Sequence, residues 1–323
     1  MDSPTTHEVQ VLIDRLHAEY ATHTQGEVAT YIPELARVAP DDFGLSLVTS
    51  EGRLFEAGHC DTGFTIQSIS KPFTFGIALE ELGRDAVMRH VGVEPSGDPF
   101  NSIELQAGTN RPFNPMVNSG AITVTALLHH VHGPQTFELV LDRFSRLAGR
   151  ALSMDVDVYE SERRTGHRNR AIAHLLLNFG MVPGEAEAAL DVYFRQCAIT
   201  TTCRDLAMMA ATLSNMGRHP VTGDSVFELG TVKDMLSIMF TCGMYDYSGQ
   251  WAFRVGMPAK SGVGGGVLAV VNRQLGIGIY SPRLDVYGNS CRGVEVCAEL
   301  SSRLGLHVFD CLNVGSSYLD AIL

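Results

Sequence analysis

The hydrophobic period of this chain changes twice, and the two changes bound what it can fold into. The block "FGLSLVTSEGRLFEAG" alternates apolar residues about a Ser50-Glu51-Gly52 turn, the pattern of a β-hairpin, and "GFTIQ" adds a short third strand. From about Ile122 to Phe240 the apolar residues recur at helical intervals instead. The clearest case is "TTTCRDLAMMAATLSNMG", where Thr202 and Asp205 make a capping box and Gly217 takes the C′ position. Strand period then returns in "WAFRVGMPAKSGVGGGVLAVVNRQLGIGIYSP", as three short runs broken by glycines and by "NRQ".

Helices close both ends. "TTHEVQVLIDRLHAEY" spaces Val9, Leu12, Ile13, Leu16 and Tyr20 on one face, behind Thr5 or Thr6 as cap. "GNSCRGVEVCAELSSRLG" runs from Asn289 or Ser290 to a Gly305 stop, and a further short helix is expected in "EVATYIPELARV", limited by Pro33. Strands from both ends of the chain then form one antiparallel sheet with the terminal helices packed on it. The expectation is a single α+β domain, 1–323, with an α/β lobe from about 1–70 and 245–310 and a helical lobe from about 71–244. A cleft between lobes is the natural place for a small-molecule site.

Charge and cysteine usage narrow the partners. The formal net charge of −12 argues against nucleic acid and anionic membrane surfaces, which need clustered cations. No basic segment leads into a long apolar run at the start, so no secretory signal is read, and no stretch is long enough to span a membrane. Seven cysteines with no C-x-x-C pair, the closest being Cys197 with Cys203 and Cys291 with Cys297, suit free thiols in a reducing cytoplasm. The cluster "HHVH", at His129, His130 and His132, has no acidic or cysteine partner near it in sequence, and no metal site is expected there.

The basic residues carry the chemical signal. Of 24 lysines and arginines only Lys71, Lys233 and Lys260 are lysine. Lys71 follows Ser68 by three residues in "FTIQSISKPFTFGIALEELG", where Pro72 marks a helix start and Gly83 its end. Ser68 and Lys71 then share one face of a first helical turn, whose unpaired N–H groups can hold a negative oxygen. A serine needs a base to become a nucleophile. Lysine can be that base once its charge is suppressed, and arginine cannot. Lys260 opens "KSGVGGG" on an expected strand. S-x-x-K followed by K-[ST]-G is the signature of serine β-lactamases and penicillin-binding proteins. Their intervening S-x-N or Y-x-N element is missing, since "YGN" at Tyr287 comes after Lys260.

Seven blocks resemble the serine-dependent glutaminases: "GEVATYIPELA", "FTIQSISKPF", "FNPMVNSGAI", "ESERRTGHRNRAIA", "DVYFRQCAI", "CGMYDYSGQWAFRVGMPAKSGVGGG" and "SPRLDVYGNS". They tile residues from about 7 to 310, and the final segment, 311–323, lies outside the resemblance with no assigned role. The resemblance implies hydrolysis of L-glutamine to L-glutamate and ammonia on a β-lactamase/transpeptidase-like fold, without metal or organic cofactor, in a homo-tetramer. It implies Ser68 as nucleophile, Lys71 as general base and Tyr245 as proton relay. Val263 matches the position whose backbone N–H completes the oxyanion hole with that of Ser68. Tyr31, Asn118, Glu162, Asn169 and Tyr193 match ligand-binding positions, and Lys260 is expected as a cation near the site.

Apart from the resemblance, an isolated asparagine or tyrosine is more often structural. Glu162, among Arg163, Arg164, Arg168 and Arg170, reads as a surface ion pair. Another serine amidase or esterase related to the β-lactamases remains an alternative, as does a non-catalytic glutamine or glutamate sensor.

Overall fold

The computed structural model describes residues 6–97 and 101–310. The chain opens with α1 (Thr6–Tyr20), the hairpin β1 (Gly44–Thr49) and β2 (Leu54–Gly58), then β3 (Phe64–Thr65), α2 (Ser70–Leu82) and α3 (Arg84–Met88). The long helical stretch follows: α4 (Asn118–His132), α5 (Thr136–Ala148), a two-residue strand β4 (Ser153–Met154), α6 (Val156–Thr165), α7 (His167–Asn178) and α8 (Ala186–Cys197). It continues through β5 (Ile199–Thr201), α9 (Cys203–Ser214), α10 (Leu229–Cys242) and α11 (Ser248–Arg254). The chain returns to strands in β6 (Ala259–Ser261), β7 (Gly266–Val271) and β8 (Leu275–Tyr280), and α12 (Cys291–Leu304) closes it.

Both ends of the chain build one sheet, in the order β2-β1-β8-β7-β6, with every pairing antiparallel. Alternation sorts its side chains onto two faces. Leu45, Leu47, Val267, Ala269, Ile277 and Ile279 pack with Ile13 and Leu16 of α1 and Val296 and Leu300 of α12. The opposite face, with Val48, Leu268 and Val270, meets α9. There β8 carries glycine so that the helix can touch its backbone. A Cβ at Gly276 would lie 2.2 Å from Ala211 N, and one at Gly278 2.0 Å from Cys203 O.

Most of the expected elements form, with their caps. Thr202 and Asp205 make the capping box on α9, and the Ser290 side chain accepts from Gly293 N at the start of α12. Thr6 is the first residue of α1, while Thr5 and the 311–323 segment lie outside the described residues. Four local expectations change. "EVATYIPELARV" forms only a 3₁₀ turn at Leu35–Arg37. Its backbone bonds run across rather than along, because Glu27 and Leu284 exchange both N–H···O bonds, at 3.1 and 2.9 Å. The third strand leaves the hairpin and pairs with β5 in a separate sheet, β3-β5-β4, with Phe64 opposite Thr201. The run at Trp251 is helical, its indole buried and donating to Met257 O at 2.7 Å. Past α9 the C′ position belongs to Met216, at φ +58°, with Gly217 next at +85°.

Candidate active site

The short β3 strand delivers the chain into a 3₁₀ turn, Gln67–Ile69, which feeds α2. Ser68 therefore precedes the α-helix proper. Pro72 stands at its third position, where a missing N–H costs nothing. The turn's bond runs from Ile69 N–H to Ile66 O at 3.1 Å, so the Ser68 N–H lies ahead of it. Gln67 takes φ +48°, a left-handed conformation unusual for a residue with a side chain. Ser68 and Lys71 are both buried, at 7% and 1% exposure.

Lys71 Nζ donates to Met116 O at 3.1 Å and to Asn118 Oδ1 at 2.7 Å. Burial pushes this amine down to about 8, and the Glu162 carboxylate opposes the shift. Asn118, at the start of α4, passes the network on, its Nδ2 donating to Asn169 Oδ1 at 3.0 Å.

From the sheet side come Tyr245, Lys260 and Val263. Tyr245 Oη donates to Ser261 O at 3.0 Å, and the Ser68 hydroxyl also hydrogen-bonds this phenol. Burial holds the phenol above its ordinary range, so it keeps its proton. Tyr245 is the second residue of the site at positive φ, +59°. Backbone held this way costs about 1–3 kcal/mol and persists where surrounding structure imposes it. Lys260 Nζ also donates to Ser261 O, at 2.7 Å, and lies 4.1 Å from the centre of the Tyr245 ring. The Lys260 amine is fully buried, and burial and then the Lys71 charge push it well below the ordinary lysine range. Val263 sits in the glycine-lined β6–β7 connection that straddles the serine turn. A Cβ at Gly262 would lie 3.0 Å from Ile66 O, and one at Gly264 2.7 Å from Thr65 O. Bare backbone at these two positions lets the connection pack against the Thr65–Ile66 backbone just ahead of Ser68.

A cavity of about 130 Å³ opens at Ser68, lined also by Tyr31, Asn118, Glu162, Asn169 and Tyr193. That is below the roughly 300–1,000 Å³ of drug-sized ligand pockets. Glu162, on α6, is buried rather than on the surface, and its Oε2 has no hydrogen-bond partner. Burial raises its carboxyl to about 8, with the Lys71 charge acting against the rise. Tyr193 on α8 is buried, and burial lifts its phenol well above the ordinary range. Tyr31 stands at the rim, 54% exposed.

Of the residues singled out from the sequence, Tyr31, Ser68, Asn118, Glu162, Asn169 and Tyr193 line this cavity, and Lys71 and Tyr245 are hydrogen-bonded to members of that set. Sequence reasoning missed Cys197, which lines the same cavity and hydrogen-bonds Tyr193. Its signal was available: Tyr193 and Cys197 are four residues apart on α8 and share a face. Burial pushes its thiol up and keeps it neutral. Gln67 and Arg168 also line the cavity. The "HHVH" cluster lies elsewhere, at the end of α4. An acidic partner reaches it from α2, since His132 Nε2 stands 3.3 Å from Glu81 Oε2. Among the described residues no three His, Cys, Asp or Glu side chains gather as a metal site.

The site thus holds a buried lysine whose charge is disfavoured, three residues after a buried serine, and an unpaired buried carboxylate in the same neighbourhood. Comparison with known proteins gives the family. The glutaminase family model matches residues 26–309. A glutaminase from Trichormus variabilis is 54% identical over 303 residues, covering 94% of this chain and 91% of the relative. The solved structure of Mglu in its glutamate form superposes with a TM-score of 0.90 at 44% identity, covering 95% of this chain and 71% of that one. The structure of a probable glutaminase of Bacillus subtilis gives 0.87 at 33%, covering 93% and 98%. The chain belongs to the glutaminase family.

Proposed function

We propose that this amidohydrolase converts L-glutamine to L-glutamate and ammonia through a Ser68 acyl-enzyme. The observation that carries the proposal is the unpaired, buried Glu162 Oε2 in the cavity that opens at Ser68. An anion enclosed without a partner is costly, and an α-ammonium supplies both the charge and the hydrogen bonds it lacks. The phenols and amides of Tyr31, Asn118, Asn169 and Tyr193 suit the α-carboxylate.

Lys71, as free amine, takes the Ser68 Oγ proton, and Oγ attacks the side-chain amide carbon. The N–H groups of Ser68 and Val263 hold the oxyanion, a contribution of about 2.7–4 kcal/mol per donor. Tyr245, protonated and hydrogen-bonded to Ser68, is placed to hand a proton to the leaving nitrogen. Ammonia departs and the proton on Lys71 restores Tyr245; the free Lys71 amine then takes a proton from the water that attacks the glutamyl ester and hands it to Ser68 Oγ as glutamate leaves. The reading takes 1–323 as one catalytic domain of two lobes acting as a homo-tetramer in the cytoplasm. Among the described residues no helix is long and apolar enough to cross a membrane.

The test is ammonia release from glutamine and asparagine, and ring opening of a chromogenic β-lactam, by the parent and by Ser68→Ala, with glutamine binding followed by calorimetry. The expected result is ammonia from glutamine by the parent alone, no β-lactam opening, and binding kept by the variant. β-Lactam opening without ammonia from glutamine, or binding without release by the parent, overturns the proposal in favour of a β-lactamase relative or a sensor respectively.

A further inference from the structure

Behind the cavity, α2, α4 and α8 meet at one side chain. Gln196 is fully buried on α8. Its Oε1 accepts from Thr125 Oγ1 of α4 at 3.2 Å and lies 3.3 Å from Thr74 Oγ1 of α2, whose single hydrogen is shared with Ser70 O at 3.2 Å. Its Nε2 donates to Ser70 Oγ at 3.4 Å. Ser70, also fully buried, donates its own hydroxyl hydrogen to Gln67 O at 2.7 Å. Neither Ser70 nor Gln196 lines the cavity, and neither is needed to hold substrate.

We infer that Ser70 and Gln196 are positioning residues that aim the Ser68 N–H at the developing oxyanion. The Gln67 carbonyl and the Ser68 N–H belong to one peptide unit. That unit is planar and trans, so its C=O and N–H point in opposite directions. Whatever holds the carbonyl therefore aims the N–H. Ser70 holds the carbonyl from the helix side with both its backbone N–H and its Oγ, which turns the Ser68 N–H outward; the Oγ bond is the one a side-chain variant removes. A hydroxyl has a single hydrogen and can rotate. Gln196 removes that freedom by occupying a lone pair of Ser70 Oγ, which leaves the hydrogen for Gln67 O. The left-handed Gln67 conformation, at φ +48°, is the strained feature that such a clamp would maintain. The same amide anchors the three helices that carry Lys71, Asn118 and Tyr193, so the clamp and the site move as one body.

With Ser68 taken as the nucleophile, the test compares steady-state kinetics and melting of Ser68→Ala, Ser70→Ala, Gln196→Glu and a remote control. Ser70→Ala is expected to lower kcat about tenfold to a hundredfold, with KM within about twofold, since a donor is misaligned rather than removed. The control is Ser301→Ala, which loses a comparable buried bond, Ser301 Oγ to Val255 O at 2.6 Å. It should lower the melting temperature and leave kcat unchanged. Gln196→Glu separates positioning from stability. While protonated, the new carboxyl accepts from Thr125 and donates to Ser70. Once ionised it can no longer donate. Its kcat relative to the parent should therefore fall as pH rises. A folded Ser70→Ala with kcat within twofold of the parent, or a Gln196→Glu ratio flat with pH, overturns the inference. If Ser68→Ala is inactive in the same assay, the acyl-transfer reading stands regardless. Turnover by Ser68→Ala overturns that reading and the inference with it.

Discussion

Lys71 and Asn118 are joined by a 2.7 Å bond from Nζ to Oδ1, and Met116 O takes a second hydrogen of the same amine at 3.1 Å. A neutral amine has two N–H bonds and one lone pair, so two oxygens satisfy its hydrogens and leave the pair free for a proton. An ammonium in the same place has a third hydrogen to satisfy.

Lys71→Arg tests this directly. The variant keeps the charge and most of the stem, and arginine is the ordinary cation of this chain. The guanidinium cannot become a neutral base. Turnover is expected to fall by at least about 10²–10⁴-fold with the fold retained. Lys233→Arg is the control, since the Lys233 side chain is 66% exposed and pairs only with Asp234 at the surface. Ammonia release and thermal melts on both variants check the prediction. More than about a tenth of parental turnover in Lys71→Arg rules out the general-base role.

The pH profile should separate the two buried ionisations. Lys71 lies near 8, lowered, and must be free of its proton to act. Glu162 lies near 8, raised, and must be ionised to receive an ammonium. Both forms gain population as pH rises, so kcat/KM should climb through about pH 8 more steeply than one proton per unit. Bound substrate satisfies Glu162, so kcat should show a single-proton limb. Initial rates from about pH 6 to about pH 8.5, where most of the glutamine keeps its α-ammonium, decide it, and a kcat/KM that falls over this range excludes the assignment.

Glu162→Gln should trade affinity for stability. In the folded chain the carboxyl keeps its proton up to about 8, while the unfolded chain releases it near the ordinary 4.5. Between those values the folded state binds more protons, so this group makes stability fall as pH rises. The amide removes that dependence, and the melting temperature of the variant should gain on the parent from pH 5 to 8. Lys71 contributes the opposite slope only above about 8. KM for glutamine should rise about tenfold to a hundredfold with the lost charge-assisted bond. Calorimetric melts and steady-state kinetics test both halves, and an unchanged KM would remove Glu162 from the ammonium site.

Asparagine should be a poor substrate. Its amide carbon lies one methylene closer to the α-carbon. With the α-ammonium at Glu162 and the α-carboxylate among the amides and phenols, that carbon stops short of Ser68. A misplacement on this scale costs about a hundredfold. Comparable kcat/KM values for the two amides would show that the α-groups are not held where proposed.

Local features were legible because short-range physics sets them. The hairpin, the Thr202–Asp205 capping box and the Ser290 cap depend on residues within a few positions of each other, and all three form. "EVATYIPELARV" failed for the opposite reason. Its helical spacing is real, but Glu27 finds its partner at Leu284, more than 250 residues away, and two cross-chain hydrogen bonds outweigh a marginal helix. Gln196 was missed because nothing around "YFRQC" says which helices face it.

By itself the sequence determined the hairpin, the strands that return late in the chain and the three-residue spacing that sets Ser68 just before α2 and Lys71 in its first turn. Alternation, capping and the three-residue spacing act through bonds between near neighbours. Only the tertiary structure decided the states of the groups in the site. Glu162 reads as a surface residue among arginines, and enclosure makes it a raised, unpaired carboxyl. Lys260 reads as a cation, and burial beside Lys71 acts against its charge. Desolvation and Coulomb energy depend on what surrounds a group in three dimensions, and here those surroundings come from α2, α4, α6, α8 and the sheet together.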